Sequence, residues 1–363
     1  MTSDLTIDVI PSERPRSAEE RAALLKEPGF GQVFTDHMVT ARYVEGRGWH
    51  DARLTAYQPL TLDPATSVLH YGQAIFEGLK AYHQPDGAVA LFRPDQNAAR
   101  FQRSARRMAM AEVPESLFLD SLSALVRQDR DWVPTKPGES LYLRPLEFAV
   151  DAFLGVRPAK EYLFLLFASP AANYFPGGVR PVSVWLSTEY TRAAPGGTGA
   201  AKCAGNYAAS LVAQAQAAEQ GCDQVVWLDA VEHKYVEEMG GMNLYFVFSD
   251  GRLVTPALTG TLLPGVTRDS ILAIGRDMGL DTVEGRVTTD EWEAAAADGS
   301  LTEVFACGTA AVVTPVGAVK HAHGSFNIAD AQPGALTMKV RESLLGIQQG
   351  TAPDSHGWMH RVA

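Results

Sequence analysis

Apolar residues along this chain fall into short runs whose lengths and periods predict both strands and helices. The runs at 141–144, 162–168, 182–186 and 223–228 are strand-sized, with β-branched or aromatic residues in most of them. Helical spacing at 97–110 and 117–132 predicts two helices, the first crowded with arginines. A stretch rich in Ala, Leu and Gln from about 206 to 220 predicts a third, with Gly221 as its stop. Residues 235–248 hold a glycine pair between strand-like flanks, and a fourth helix is expected at 267–278 after the turn Leu263-Pro264-Gly265-Val266. Strands and helices mix without strict βαβ alternation, which predicts an α+β fold rather than a doubly wound parallel sheet.

Composition sets boundaries on this pattern. Small residues, Pro and Gly gather in SPAANYFPGGVRP (169–181). A linker is therefore expected at 172–182, between a smaller N-terminal domain (1–171) and a larger C-terminal one (183–363). The first 28 residues are polar with scattered prolines and are expected to lie as a surface arm. With 363 residues, 46% hydrophobic and 20% charged, the chain can build two packed cores. No apolar run approaches the roughly 20 residues of a membrane span, and the N-terminus has no apolar signal core. A net charge of −11 repels phosphate backbones and anionic lipid, so neither nucleic acid nor membrane is an expected partner. Three cysteines without a close pair fit a reducing cytoplasm. His321 and His323 have no further ligand cluster, so no metal site is expected.

Lys202 is the residue with the most unusual surroundings. Gly199, Ala200, Ala201, Cys203, Ala204 and Gly205 around it are all small and uncharged. Such neighbours let other groups crowd the amine and exclude water, which lowers a lysine pKa and yields the neutral amine that Schiff-base chemistry requires. A lysine simply extending from a loop fits the local run equally well. A Walker A loop is excluded because Lys202 stands between Ala201 and Cys203 rather than before Ser or Thr. A dinucleotide fingerprint fails too, since Lys202 occupies the place where the loop beginning Gly197-Thr198-Gly199 would need its third Gly or Ala.

GGTGAAKCAGNYAAS (196–210) resembles the lysine segment of branched-chain aminotransferases of the fold-type IV pyridoxal-phosphate class. So, in family order, do FGQVFTDHMV (30–39), LHYGQAIFEGLKAY (69–82), LFRPDQNAARFQRSA (91–105), SLYLRPLEFA (140–149), ANYFPGG (172–178), EEMGGMNLYFVF (237–248), LTGTLLPGVTRDSIL (258–272) and EVFACGTAAVVTPV (303–316). The resemblance implies a two-domain α+β fold of the D-amino-acid aminotransferase type, a homodimer, and pyridoxal 5′-phosphate as cofactor. The implied reaction passes an amino group from leucine, isoleucine or valine to 2-oxoglutarate in two alternating half-reactions.

The resemblance also assigns roles. Lys202 holds the cofactor and later shuttles the proton between substrate Cα and cofactor C4′. Glu238, rather than the adjacent Glu237, faces the pyridine nitrogen, and Tyr207 faces the phenolic oxygen. The phosphate falls to Arg100, to the backbone of Val266 and Thr267 at a helix start, and to Thr309. Arg93, Arg103, Arg106 and Arg107 read as surface charges. Phe30, Tyr71, Phe76, Tyr142 and Tyr174 surround the substrate, with Tyr71 reaching a partner subunit's site. Arg144 meets the glutamate carboxylate, and the Thr309 and Ala310 amides bind the α-carboxylate. A D-amino-acid aminotransferase or aminodeoxychorismate lyase shares the fold, but FTDHM, FEGLKAY and the Tyr142/Arg144 pair favour the branched-chain family. A non-catalytic carrier of the cofactor would not need Glu238. Mammalian members carry a Cys-x-x-Cys pair after the CGTA-like turn, where this chain has Ala311 and Thr314.

Overall fold

The computed structural model describes residues 5–172 and 178–363. Contacts divide the chain into two units: Met1–Pro176 with Ala201–Ala204 and Gly346–Ala363, and Gly177–Ala200 with Gly205–Leu345. This corrects the sequence-based division in two respects. Lys202 and the last 18 residues group with the first unit, which is also the larger one. Residues 201–204 do so because their backbone is bonded to first-unit elements, and residues 359–361 because they complete its sheet. Much of the expected linker, residues 173–177, lies outside the described residues.

The first unit is built on a nine-stranded sheet. Its centre is the antiparallel pair Ser140–Ala149 and Glu161–Ala171, both mainly apolar and buried. On one side of that pair, Glu161–Ala171 joins His37–Val44, Gly48–Ala56 and the short parallel strand Asp8–Val9. On the other lie Leu79–His83, Val89–Phe92 and Met359–Arg361, while Ala74–Phe76 pairs separately with Ser140–Ala149. Helices Pro94–Arg107 and Glu115–Gln128 pack on the sheet through Phe101, Phe118 and Phe164, whose ring centroids lie 5.4 to 6.3 Å apart. All three rings are buried, and emptying one to alanine costs about 3–5 kcal/mol.

Helix Pro94–Arg107 starts on a proline, whose fixed φ suits the first turn. Its buried face is mixed. Ala98, Phe101 and Ala105 meet the core, while Asn97, Arg100 and Ser104 form a buried polar stripe at i, i+3 and i+7. The N-terminal segment is more ordered than an arm. Besides Asp8–Val9 it contains helix Ala18–Leu24, closed by a capping box between Ser17 and Glu20.

The second unit also has a nine-stranded sheet, mixed in direction. Six of its strands close a ring in the order Val236–Met239, Gln224–Leu228, Val182–Ser187, Val312–His321, Leu301–Gly308, Met242–Phe248, because Val236–Met239, at one end of that order, also pairs with Met242–Phe248 at the other. Arg252–Pro256 and Asp281–Gly285 extend it, and Trp292 of helix Thr289–Asp298 packs edge-on against Phe246 at 5.1 Å. The glycine pair forms the two-residue turn between Met239 and Met242; Gly240 has φ +56°, and a Cβ there would lie 2.5 Å from Gln224 Oε1. The helix expected from 206 to 220 is interrupted: Ala204–Ala208 and Leu211–Glu219 are separate. Ser210 breaks the ladder by donating both its N–H and its hydroxyl to the Tyr207 carbonyl.

Candidate active site

In the first unit the backbone of Lys202 is pinned on both sides. Its N–H donates to Ser104 Oγ at 2.9 Å and its carbonyl accepts the Phe76 N–H at 3.0 Å, while Cys203 bridges to Ile75. Ala201 and Cys203 are buried, so the run of small residues is what lets the chain lie against strand Ala74–Phe76. The half-buried side chain places Nζ 4.7 Å from the Phe76 ring centroid. Burial first, and then the Arg100 charge, lower the amine pKa to about 8; Glu77 opposes them.

Glu77 is the keystone of this cluster, and the motif assignments missed it. Its carboxylate, fully buried, accepts Arg100 Nε at 2.7 Å and Nη2 at 2.8 Å, and Asn97 Nδ2 at 2.7 Å. Burial alone would raise this carboxyl; the Arg100 charge and hydrogen bonds, with Lys202 and Asn97, reverse that and hold it below the usual carboxylate range. The polar stripe of helix Pro94–Arg107 thus serves Glu77 through Asn97 and Arg100, and Lys202 through Ser104. Arg100, assigned to a phosphate, is buried, whereas Arg103, Arg106 and Arg107 are exposed and Arg93 is half-buried. Two of its five N–H donors face Glu77.

Four of the eight predicted substrate residues, Phe30, Phe76, Tyr142 and Arg144, meet here. Arg144 Cζ lies 4.9 Å from the Phe76 ring centroid and 5.4 Å from that of Tyr142, and Nη2 donates to the Tyr142 hydroxyl at 3.3 Å. Phe30 packs edge-on against Tyr142 at 5.1 Å. Gly78 has to be glycine, since a Cβ would overlap the Tyr142 hydroxyl at 1.9 Å. Tyr71 does not join them: it ends helix Ser67–Tyr71, is exposed, and donates to the Leu154 carbonyl. Tyr174 lies outside the described residues.

The second unit carries the other predicted residues. Glu238 is buried in strand Val236–Met239, accepts the Leu263 N–H at 2.6 Å, and pairs with Arg192 Nε at 3.1 Å. Arg192 is buried as well and donates to the Gly199 and Thr261 carbonyls. It too was missed; its only signal is a lone cation upstream of the small-residue run. Asn243 bonds Glu238 and the Leu263 carbonyl, and a Cβ on Gly265 would lie 2.2 Å from its Oδ1. Gly265 starts helix Val266–Asp277, which has no side-chain cap, so the first-turn N–H groups of Val266 and Thr267 suit an anion.

Cys307 pairs with Asn243, which brings the turn Thr309-Ala310-Ala311 to the same end of the sheet. Val312, closing that turn, holds φ +64°, an uncommon conformation for a β-branched residue of the kind that clusters at functional sites. Tyr207 is half-buried, its ring 3.5 Å from where a Gly241 Cβ would stand. Glu237 takes a different environment from Glu238, bonding the Thr261 hydroxyl.

Taken unit by unit, these groups are of the kinds pyridoxal 5′-phosphate requires: in the first an amine made more easily neutral, in the second a buried carboxylate and an uncapped helix start. Comparison with known proteins agrees. The family described as amino-transferase class IV matches residues 74–319. A probable branched-chain-amino-acid aminotransferase of Streptomyces coelicolor is 59% identical over 99% of both chains. A branched-chain-amino-acid aminotransferase of Mycobacterium tuberculosis is 58% identical over 100% of both. Among solved structures, the Escherichia coli branched-chain amino acid aminotransferase matches with TM-score 0.74 and 26% identity, covering 89% of this chain and 99% of that one. A second branched-chain amino acid aminotransferase, from T.th. and solved with pyridoxamine 5′-phosphate, matches with TM-score 0.73 and 28% identity, covering 89% and 98%. The chain belongs to the class IV aminotransferases and, within them, to the branched-chain-amino-acid aminotransferases.

Proposed function

We propose that this enzyme moves the amino group of L-leucine, L-isoleucine and L-valine to 2-oxoglutarate in two half-reactions, with Lys202 as its catalytic residue. The observation that carries the reading is the Lys202 amine, pinned at its backbone, its pKa lowered to about 8 by burial and by Arg100. When bound, pyridoxal 5′-phosphate supplies an electron sink for negative charge at the substrate Cα. Lys202 Nζ would take the proton from the substrate Cα and hold it for return, work for which an amine near neutrality is suited. Glu238 would keep the proton on the pyridine nitrogen; Arg192 and the Leu263 N–H fix its carboxylate. Tyr207 bonds the phenolic oxygen. Val266 and Thr267 N–H groups, the Thr309 hydroxyl and the Arg100 guanidinium receive the phosphate.

Phe30, Phe76 and Tyr142 provide an apolar wall for branched side chains, and Arg144 beside Tyr142 meets the second carboxylate of glutamate. The Thr309 and Ala310 amides receive the α-carboxylate. The working form is a homodimer in the cytoplasm: Leu69, Tyr71, Leu154 and Val156 are large exposed apolar residues of the first unit, and two of them are tied together by the Tyr71–Leu154 hydrogen bond. Assays of a panel of L- and D-amino donors with 2-oxoglutarate test the reading. Turnover confined to D-alanine, or none with L-leucine, L-isoleucine and L-valine, overturns it.

A further inference from the structure

Glu237 has no part in the roles above, yet its side chain is only partly satisfied. The residue is 6% exposed, its Oε1 accepts the Thr261 hydroxyl, and its Oε2 is buried with no hydrogen-bond partner among the described residues. An unmet buried carboxylate oxygen is costly and calls for an explanation. Because successive residues of a strand point to opposite faces, Glu237 leaves strand Val236–Met239 on the side away from Glu238. There it lines a cavity of about 280 Å³, all of whose walls belong to the second unit. That size is near the lower end for small-molecule sites, at roughly 300 Å³.

The cavity is chemically divided. Val231, Val236, Pro256 and Leu262 give it apolar walls. Glu237 supplies the unmet acceptor. Arg286 supplies a cation, stacked 3.4 Å from the Tyr235 ring centroid and only loosely paired with Glu232, at 3.9 Å. The loop forming one wall is set in advance: the Asp229 carboxylate accepts the N–H groups of Val231, Glu232, Lys234 and Tyr235. The unmet Glu237 acceptor, a guanidinium and an apolar wall together match a zwitterion with a short hydrocarbon side chain.

We propose that this cavity is a second, non-catalytic binding site for a free α-amino acid with a small apolar side chain, its ammonium on Glu237 and its carboxylate on Arg286. Burial raises the Glu237 carboxyl above its usual value; the Thr261 hydroxyl, Arg192 and Arg286 offset part of this, and Asp229 adds to it. A bound ammonium would relieve that cost directly. Arg192, which is charge-coupled to Glu237, is also paired with Glu238, so occupancy of the cavity has a short electrostatic route to the predicted cofactor carboxylate.

The test uses holoenzyme whose cofactor has been reduced onto Lys202 with borohydride, so that an added amino acid cannot react. Calorimetric titration with L-valine is expected to show saturable binding that weakens at least tenfold in Glu237→Gln and in Arg286→Met. Isobutyrate, which lacks the ammonium, should not compete. Both variants should keep kcat/KM for leucine within about twofold at low leucine, which also shows that they fold. Absence of saturable valine binding, or equal binding in wild type and both variants, overturns the proposal. Failure of borohydride to fix the cofactor would instead refute the role of Lys202, a separate outcome read from the absorbance before any valine is added.

Discussion

Ser104 accepts the backbone N–H of Lys202 across 98 positions of sequence, from the same helix face that sends Arg100 to Glu77. The amine and the ion pair that tunes it are therefore positioned by one rigid element. Ser104→Ala removes a buried hydrogen bond and should cost about 1 kcal/mol of stability. Because it frees the lysine backbone, it should also shift the pH profile of kcat, which a purely structural loss would leave in place.

Lys202→Ala should abolish the long-wavelength absorbance that leucine shifts in the wild-type holoenzyme. Spectra of the two proteins side by side decide this. A variant that keeps both the absorbance and normal turnover would show that another amine holds the cofactor.

Glu238→Gln should keep the cofactor and lose about 10²- to 10³-fold in kcat, the usual size of losing one preorganised electrostatic partner. Glu237→Gln should leave kcat nearly unchanged. Steady-state kinetics of the two variants separate the neighbours, and a reversed pattern would exchange their roles.

Glu77→Gln leaves Arg100 buried beside a neutral partner and should cost about 3–5 kcal/mol, measurable by chemical denaturation. Replacing both as Glu77→Gln/Arg100→Met should recover part of that loss. The single variant should also lower the Lys202 pKa below about 8, since the Glu77 charge now holds it up.

Glu147 predicts a pH dependence of folding. Both its carboxylate oxygens are buried without a hydrogen-bond partner among the described residues, and burial raises its pKa well above normal. Below about pH 4 the carboxyl is protonated in both folded and unfolded chains, and its contribution to stability is fully present. As pH rises from there toward the raised folded pKa, only the unfolded chain releases the proton, so stability falls. Denaturation midpoints of wild type and Glu147→Gln should therefore diverge with rising pH, the variant gaining; parallel curves would show that Glu147 is not held protonated.

Much of this architecture is legible in the sequence where local pattern controls it. The strands at 141–144, 162–168 and 182–186 are cores of longer observed strands, and the helix expected at 267–278 is shifted by one residue. Where the outcome depends on one hydrogen bond, pattern is silent: nothing in the alanine-rich run from 206 to 220 says that Ser210 will turn back onto Tyr207. Strand Asp8–Val9 is two residues long and is defined by its partner rather than by its own side chains. In the site, the motifs single out groups expected to touch cofactor and substrate, while Glu77 and Arg192 are ion-paired to two of them, Arg100 and Glu238. Their partners lie 23 and 46 positions away, so only the fold reveals them. The polar residues Asn97, Arg100 and Ser104 at helical spacing are the one local sign that this helix buries more than a hydrophobic face.

Neither unit is a single continuous stretch of chain. Strand Val89–Phe92, near the start, pairs with Met359–Arg361, near the end, and Val362 is buried in the same core. During synthesis the first half therefore cannot finish its sheet while the second is being made. Its edge at Val89–Phe92 stays open until the ribosome has produced almost everything else, and the four residues that carry Lys202 must be made before their site on strand Ala74–Phe76 can be filled. Completion of the first unit before the second is made, the usual order for N-terminal domains, is closed to it. Cutting the gene at residues 172–182 to express the halves separately would leave the first without its last strand, and Lys202 on the wrong fragment.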